Sequence, residues 1–294
     1  MERACRQLVA ADEPIRGWAE KIGMLRYPPG RERRWIWTVG EVDGYASVTA
    51  SEGSGTAWLT DLYVLPGRRR RGIGRALVEA AAEQTRAAGC KHLIGGFTDP
   101  AGPGFVAALG GRVGTDRVRH SMLRLPLDAA PVRAVDGYRL VSWRGVTPDE
   151  LIESYARARH AINDAPHDDA IEPERFTPQR IRDIEAALVR RDRDQFVTVA
   201  LDGGGEVAGQ TETRVAREPG SGAFTEETAV RGEHRGRGLA LWIKDHNIRW
   251  LSAQRPDVPY VKTDNDVTNT AMLAVNTRLG FVATSESAEA ILDL

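Results

Sequence analysis

Two turns rich in arginine and glycine are the part of the sequence best suited to chemistry. Residues 69–74 read RRRGIG and residues 235–240 read RGRGLA. A β-rich run precedes each turn, and a helical pattern follows it. A strand that ends in such a turn and opens a helix directs several backbone N–H groups at one point, and the helix dipole adds positive charge there. The pattern therefore predicts two sites for a phosphate or pyrophosphate.

The two turns belong to one internal repeat. Residues 57–77 align with residues 223–243 at an offset of 166 without a gap, and a Leu-Gly pair recurs at an offset of 170. Two copies separated by about half the chain indicate two similar domains. We predict an N-terminal domain over residues 1–130 and a C-terminal domain over residues 131–294, with the linker within residues 126–137.

Periodicity and turn residues predict the elements that position the two turns. In the first copy they indicate strands at 34–39 and 45–50 and a helix at 74–88. In the second copy they indicate strands at 138–142, 195–201, 207–217, 223–230 and 260–264, with helices at 148–159, 178–190, 239–252 and 269–279. Asn269 is also suited to cap its helix, and Gly280 to end it.

Composition narrows the class of protein. The chain has 294 residues, 40 basic and 41 acidic side chains, a net charge of −1 and two cysteines. This balance gives no support to an extended nucleic-acid surface. No apolar run has the length of a membrane span, no secretory leader is visible, and the few cysteines suit a reducing cytoplasm. His160, His167, Asp168 and Asp169 lack the spacing of a metal site, so we expect no metal.

The motif Arg-x-x-Gly-x-Gly/Ala, followed some 40 residues later by Leu-Gly, resembles that of the GNAT acyltransferase superfamily, in a tandem form similar to mycothiol synthase. The resemblance implies an α/β fold: two tandem GNAT-like domains, each a mixed β-sheet flanked by helices. It also implies acetyl-CoA, or another acyl-CoA, as co-substrate, with its pyrophosphate on the turn and its thioester carbonyl at the preceding strand's N–H groups. In the second copy these contacts fall to Ala229, Val230, Arg235, Gly236, Arg237, Gly238, Leu239, Ala240 and Asn269. In the first copy they fall to Tyr63, Val64, Arg69, Arg70, Arg71, Gly72, Ile73 and Gly74.

The catalytic acid and base that the resemblance implies do not stand at the family's usual positions in this sequence. The family's usual glutamate position is Phe224, so Glu226, two residues along and expected on the same strand face, is the candidate general base. Glu227 is expected on the opposite face, where a surface carboxylate is an equal interpretation. The family's usual tyrosine acid is replaced by Asn276, which cannot donate a proton in catalysis and could at most hydrogen-bond the sulfur.

The second copy keeps more of this chemistry, so we expect it to catalyse N-acetylation of a small-molecule amine in a ternary complex. The first copy would bind CoA structurally or be inactive. Candidate acceptor-binding residues are Tyr155, His160, Asn163 and Asp164, although a capped loop explains them equally well. The alternative function is a catalytically degenerate acyl-CoA sensor, and an aminoacyl-tRNA-dependent transferase is a third hypothesis. We expect no nucleic-acid or membrane partner, and a monomer or homodimer.

Overall fold

The computed structural model describes Tyr27, residues 32–165 and residues 173–294. His167, Asp168 and Asp169 lie outside this range. Eleven strands and six α-helices are described, with a short 3-10 helix before each of the two turns and a third after α3.

The elements of the first half surround its turn as the sequence predicts. Strands β1 to β3 form a meander, α1 follows the turn, and β4, α2 and β5 complete the half. Their bounds are β1 Glu32–Val39, β2 Gly44–Ser51, β3 Thr56–Val64, α1 Ile73–Ala87, β4 His92–Phe97, α2 Gly102–Ala108 and β5 Arg112–Arg124. Helix α1 buries one stripe, including Leu77 and Val78, against the sheet. Its 3.6-residue period is therefore the predicted amphipathic one.

The second half repeats this order after two additional helices. Its bounds are β6 Arg139–Arg144, α3 Asp149–Arg159, α4 Pro178–Arg190, β7 Arg193–Leu201, β8 Val207–Ala216, β9 Ala223–Val230, α5 Leu239–Gln254, β10 Tyr260–Asp266, α6 Thr270–Leu279 and β11 Val282–Asp293. Local chemistry fixes the helix ends. The side chains of Thr177 and Asn269 accept hydrogen bonds at the starts of α4 and α6, and Gly280 ends α6 at φ +91°. The predicted cap and terminator of α6 are confirmed.

All eleven strands form one mixed sheet in the order β1-β2-β3-β4-β11-β5-β10-β9-β8-β7-β6. The last strand of each half pairs with the other half: β11 lies beside β4, and β5 lies beside β10, both antiparallel. The two exchanged strands also pair with each other at the centre. Neither half therefore closes its own sheet.

The exchange also joins the cores. Leu123 of β5 packs in the same cluster as Val261 and Phe281 of the second half. Burying such side chains contributes roughly 1.5–3 kcal/mol each. The second half therefore takes part of its core from the first.

Candidate active site

Each copy contains a pair of parallel strands that separates halfway along. Strand β3 pairs with β4 only from Thr56 to Leu59, and β9 pairs with β10 only from Ala223 to Thr225. The last five residues of β3 and of β9 thus leave their parallel neighbours. The two splayed segments are equivalent in the repeat, and each runs directly towards its turn.

The two turns have the same geometry. Arg69 donates from Nε to the carbonyl oxygen of Val64 at 3.2 Å, and Arg235 donates to that of Val230 at 2.9 Å. Gly72 and Gly238 precede the helices in the left-handed region, at φ +80° and +85°. A Cβ added at either glycine would meet nothing within 4 Å. Each turn is therefore a backbone hollow at a helix N-terminus, as the sequence predicts.

Most of the remaining residues assigned by resemblance belong to the same two turns. Arg71 precedes Gly72, while Ile73 and Gly74 open α1. Gly236 and Arg237 precede Gly238, while Leu239 and Ala240 open α5. Asn269 caps the later helix α6 by accepting from the Met272 N–H.

Backbone direction places the last N–H of each strand on the splayed side. The N–H of Leu65 donates to Asp43 next to β2, and that of Arg231 donates to Ala208 of β8. Successive N–H groups of a strand point to opposite edges. The N–H groups of Val64 and Val230 therefore point towards the splay, and that of Val230 could donate there to a thioester carbonyl or an oxyanion.

The first turn carries backbone strain that the second lacks. Arg70 has φ +62°, and its repeat equivalent is Gly236 at +76°. A left-handed conformation destabilises an L-residue other than glycine by about 1–2 kcal/mol. A change to glycine relieves this strain, but part of the gain is lost because glycine has more conformational freedom in the unfolded chain. We expect Arg70→Gly to raise the free energy of unfolding by about 0.5 kcal/mol, measured by urea denaturation without coenzyme. Arg71→Gly, at a residue without positive φ, is the control and should not raise it.

One large cavity, of about 1530 Å³, joins the two halves. The first turn lines it with Arg69, Gly72 and Gly74, beside the splayed residues Tyr63 and Val64. The second half contributes residues from the mouth of its own splay, namely Phe224, Glu226, Lys262 and Asp264. We call it the shared cavity. The first copy's turn and the second copy's splay thus open into one space.

A β-bulge determines where the two candidate carboxylates point. Glu212 of β8 pairs with Glu227 and Thr213 with Thr225, so Glu226 is the extra residue. The equivalent bulge in the first copy lies at Thr60. Because a bulge breaks the two-residue alternation of a strand, both glutamates reach the same side. The expectation that Glu227 faces away from Glu226 is therefore wrong: both line a smaller cavity of about 200 Å³.

The two glutamates have different partners. Glu226 lies 3.5 Å from an Arg214 guanidinium nitrogen and also faces the shared cavity. Glu227 is held by two hydrogen bonds from Arg159, one of 3.0 Å from Nε and one from Nη2. Burial raises the pKa of Glu227 despite Arg159, and the surrounding carboxylates raise the pKa of Arg159 well above its usual range. Glu227 is thus a buried ion-pair partner rather than a surface carboxylate.

Asn276 is committed to a buried polar network. It is 2% exposed, accepts from Lys244 Nζ at 2.7 Å and donates to Asn265 Oδ1 at 2.6 Å. Lys244 also lies 3.4 Å from Thr263 Oγ1 and 4.8 Å from the centre of the Phe281 ring. Both ends of the Asn276 amide therefore have protein partners, so the structure offers no amide group for a sulfur.

Burial lowers the pKa of Lys244 to about 7, from an ordinary value near 10.5. Between pH 7 and pH 10.5, Lys244 is protonated in the unfolded chain and largely deprotonated in the folded protein. The free energy of unfolding therefore rises with pH across this window. From pH 7 to pH 9 we expect Lys244 to raise the free energy of unfolding by about 2 kcal/mol. Urea unfolding of the wild type and of Lys244→Met at both values tests this. Equal pH slopes in the two proteins would contradict it.

The four candidate acceptor residues lie together but have partners. Tyr155 is buried with its hydroxyl 3.5 Å from Glu212, and the two ring nitrogens of His160 bond Ala156 O and Phe176 N. Asn163 bonds the backbone of Glu174, and Asp164 forms an ion pair with Arg235 of the second turn. None of the four lines either cavity. Asp164 bridges to the turn instead of offering its charge to a cationic amine.

Sequence reasoning missed the charged residues around these glutamates. Arg159 and Glu212 are almost fully buried, Arg214 is partly buried, and the three form one chain of ion pairs with Glu226 and Glu227. Arginine within the polar alternation of a strand or at a helix end is ordinary, so only the fold shows these contacts. Three or more potential metal ligands do not cluster anywhere among the described residues.

Known proteins share both the motif and the architecture. Residues 5–102 match the family described as Acetyltransferase (GNAT) family. A tandem GNAT protein from the clavulanic acid biosynthesis pathway has a TM-score of 0.80 and 27% identity, over 99% of this chain and 95% of that one. Over its whole length the chain is therefore similar to a tandem GNAT protein. A GCN5-related N-acetyltransferase from Sphaerobacter thermophilus shows the same fold, with a TM-score of 0.73 and 18% identity over 99% and 90% of the chains.

Placement among GNAT proteins indicates an acyltransferase that takes its acyl group from acyl-CoA. Both turns are backbone hollows at helix N-termini, a geometry that favours anionic groups such as phosphates. No curated protein matches the chain. Among the residues that the structure describes, no helix is long and apolar enough to span a bilayer.

Proposed function

We propose that the protein transfers the acetyl group of acetyl-CoA to the amine of a small molecule, directly and within a ternary complex. The observation that carries this is the repeated unit of splayed strand, backbone hollow and helix N-terminus. Such a unit binds a pyrophosphate and leaves strand N–H groups beside the thioester. Direct transfer needs only that amine and thioester be held together in a shaped space.

We further propose that transfer occurs at the second half's splay, while the first half's turn binds an acyl-CoA. The Val230 N–H would stabilise the tetrahedral oxyanion. Glu226, Lys262 and Asp264 place charged groups at this splay and face the shared cavity. By the registers of the two parallel strand pairs, the equivalent positions in the first copy are Thr60, Ile94 and Gly96, which offer no acid or base.

The shared cavity is suited to an amine of modest size. Glu226 and Asp264 provide negative charge where the second splay opens into it, while arginines of the first turn, Arg214 and Lys262 make the lining as a whole more basic than acidic. A polar acceptor, such as an amino sugar, an amino acid, a thiol–amine conjugate or an aminated antibiotic, would meet both signs of charge. The walls do not select among these classes.

A catalytically degenerate acyl-CoA sensor remains the second candidate. The commitment of Asn276 to Lys244 and Asn265 favours it, because no group of α6 is then offered to the leaving thiolate. A sensor would bind acetyl-CoA without consuming it.

A screen of primary amines with acetyl-CoA, read as free thiol release, separates the two functions. An acetyltransferase gives release that requires the amine and saturates with it, and mass spectrometry of the product shows one added acetyl group. Reactions without amine give the hydrolysis background. Acetyl-CoA binding without amine-dependent release would favour the sensor.

A further inference from the structure

Three polar side chains form a hydrogen-bonded row across the centre of the sheet. His120 Nδ1 lies 2.8 Å from Asp264 Oδ1, and His120 Nε2 lies 2.9 Å from Ser287 Oγ. The three residues come from β5, β10 and β11, which are adjacent strands. Asp264 pairs directly with His120 in register, and Ser285 of β11 lies opposite His120 on the other side. The row is thus fixed by strand pairing.

All three side chains line the shared cavity. His120 is 21% and Asp264 34% exposed at the side chain, so a ligand in the cavity could reach them. The other charged side chains of the second half that face the same space are Lys262 on β10, Glu226 on β9, Arg214 on β8 and Arg193 on β7, with Arg191 and Glu218 beside these strands. The first half contributes Asp61, Arg68, Arg69, Arg70, Arg75 and Asp99, and β11 contributes the hydroxyls of Ser285 and Ser287.

Strand exchange brings His120 to the second half's site. It belongs to β5, the last strand of the first half, which pairs with β10 instead of β4. Its partner Asp264 is the residue after Thr263, where the parallel pairing of β9 and β10 ends. A first-half imidazole therefore lies beside the second half's splay, where the acceptor must approach the thioester.

The hydrogen bonds determine what the imidazole can do. A carboxylate only accepts, so Asp264 holds the proton on Nδ1 and leaves Nε2 as an acceptor. Ser287 then donates its hydroxyl to Nε2 in the free protein. This arrangement orients a basic nitrogen, which an amine in the cavity reaches once the Ser287 hydroxyl turns away from Nε2.

We propose that His120 is the general base of the second half's transfer site, oriented by Asp264; this rests on the proposed N-acetyltransferase function. The amine nitrogen attacks the acyl carbon, the C–N bond forms and the C–S bond breaks. The proton lost by the nitrogen passes to Nε2. The departing CoA thiolate takes up one proton, from the imidazolium or from water, so the products are an amide and free CoA.

The chain offers a matched control. His92 forms a second His–Asp pair, with Nδ1 3.0 Å from Asp293 Oδ1 on β11. His92 lies at the start of β4 and is not among the residues that line the shared cavity. His120→Asn and His92→Asn therefore remove the same type of pair from the same sheet, but only one from the cavity.

The test measures kcat/KM against pH with the amine found in the acceptor screen, together with acetyl-CoA affinity. Positioned general bases contribute typically 10²–10⁴-fold. We expect His120→Asn to lower kcat by about 100-fold, to abolish the loss of activity at low pH, to be partly rescued by added imidazole and to leave acetyl-CoA affinity unchanged. Asp264→Asn should lower kcat but still lose activity at low pH. His92→Asn should have the kcat and the pH profile of the wild type.

Three results would overturn the assignment while leaving N-acetyl transfer intact. The first is full activity in His120→Asn. The second is that Glu226→Gln, instead of His120→Asn, abolishes the loss of activity at low pH. The third is an acetyl ester trapped on Ser287, which would make the serine a nucleophile. A wild type that binds acetyl-CoA and acetylates no amine would contradict the proposed function itself, and with it the role of His120.

Discussion

Replacing Gly238 with aspartate is expected to lower kcat/KM for acetyl transfer by at least about 100-fold, equivalent to about 2.7 kcal/mol. The new carboxylate would stand at the N-terminus of α5, in the hollow that we assign to the CoA pyrophosphate. It would repel the phosphates and satisfy the free N–H groups in their place. Aspartate tolerates the left-handed conformation better than most residues, and its Cβ meets no atom within 4 Å. The fold should therefore survive the change.

Steady-state kinetics with varied acetyl-CoA measure this effect, and Gly238→Asn is the matched control. Asparagine has the same shape and the same backbone tolerance but no charge, so it should cost much less. Gly72→Asp makes the equivalent change in the first turn, and we expect it to reduce coenzyme binding there while leaving most of the transfer rate. Equal losses from both aspartates would mean that both halves catalyse.

Separating the halves is expected to abolish both folding and activity of the second one. A protein of residues 131–294 lacks β5. Strand β10 therefore loses its antiparallel partner, and the edge of β11 that pairs with β5 is exposed. It also loses Leu123 from the core and His120 from the shared cavity. Circular dichroism and acetyl transfer by the isolated fragment are the measurements, and we expect little stable structure and no turnover.

Co-expression of residues 1–130 with residues 131–294 is the control, because both exchanged strands are then available. We expect the two fragments to copurify and to recover acetyl transfer. A fragment of residues 131–294 that folds cooperatively and acetylates the amine alone would show that the strand exchange is dispensable.

The repeat made most of the fold accessible from sequence. The gap-free alignment around the turns identified both hollows, and the Gly72 and Gly238 positions needed a left-handed backbone that glycine adopts without strain. Strand and helix positions in the second half followed from alternation and from capping residues such as Asn269. These features are local, so a single sequence contains them.

The direction of Glu227 could not be predicted because a bulge is a property of two strands. Alternation along β9 alone places Glu226 and Glu227 on opposite faces. Only the register against β8, where Glu212 and Thr213 flank the extra residue, brings them together. Their partners Arg159 and Arg214 come from other elements and have no signature in the sequence.

The strand exchange was inaccessible for the same reason. Nothing within β5 or β11 distinguishes pairing with its own half from pairing with the other, since both β4 and β10 present an equivalent edge. His120, Asp264 and Ser287 are separated by up to 167 residues and meet only through this exchange. A search limited to sequence motifs within one copy cannot find them.

Calorimetric titration of the intact protein with acetyl-CoA tests the central claim most directly, because it depends on the hollows and not on an acceptor. We predict saturable binding whose stoichiometry falls by one site in Gly72→Asp and by one site in Gly238→Asp. Absence of binding, or binding that neither aspartate alters, would contradict the assignment of the two turns to acyl-CoA.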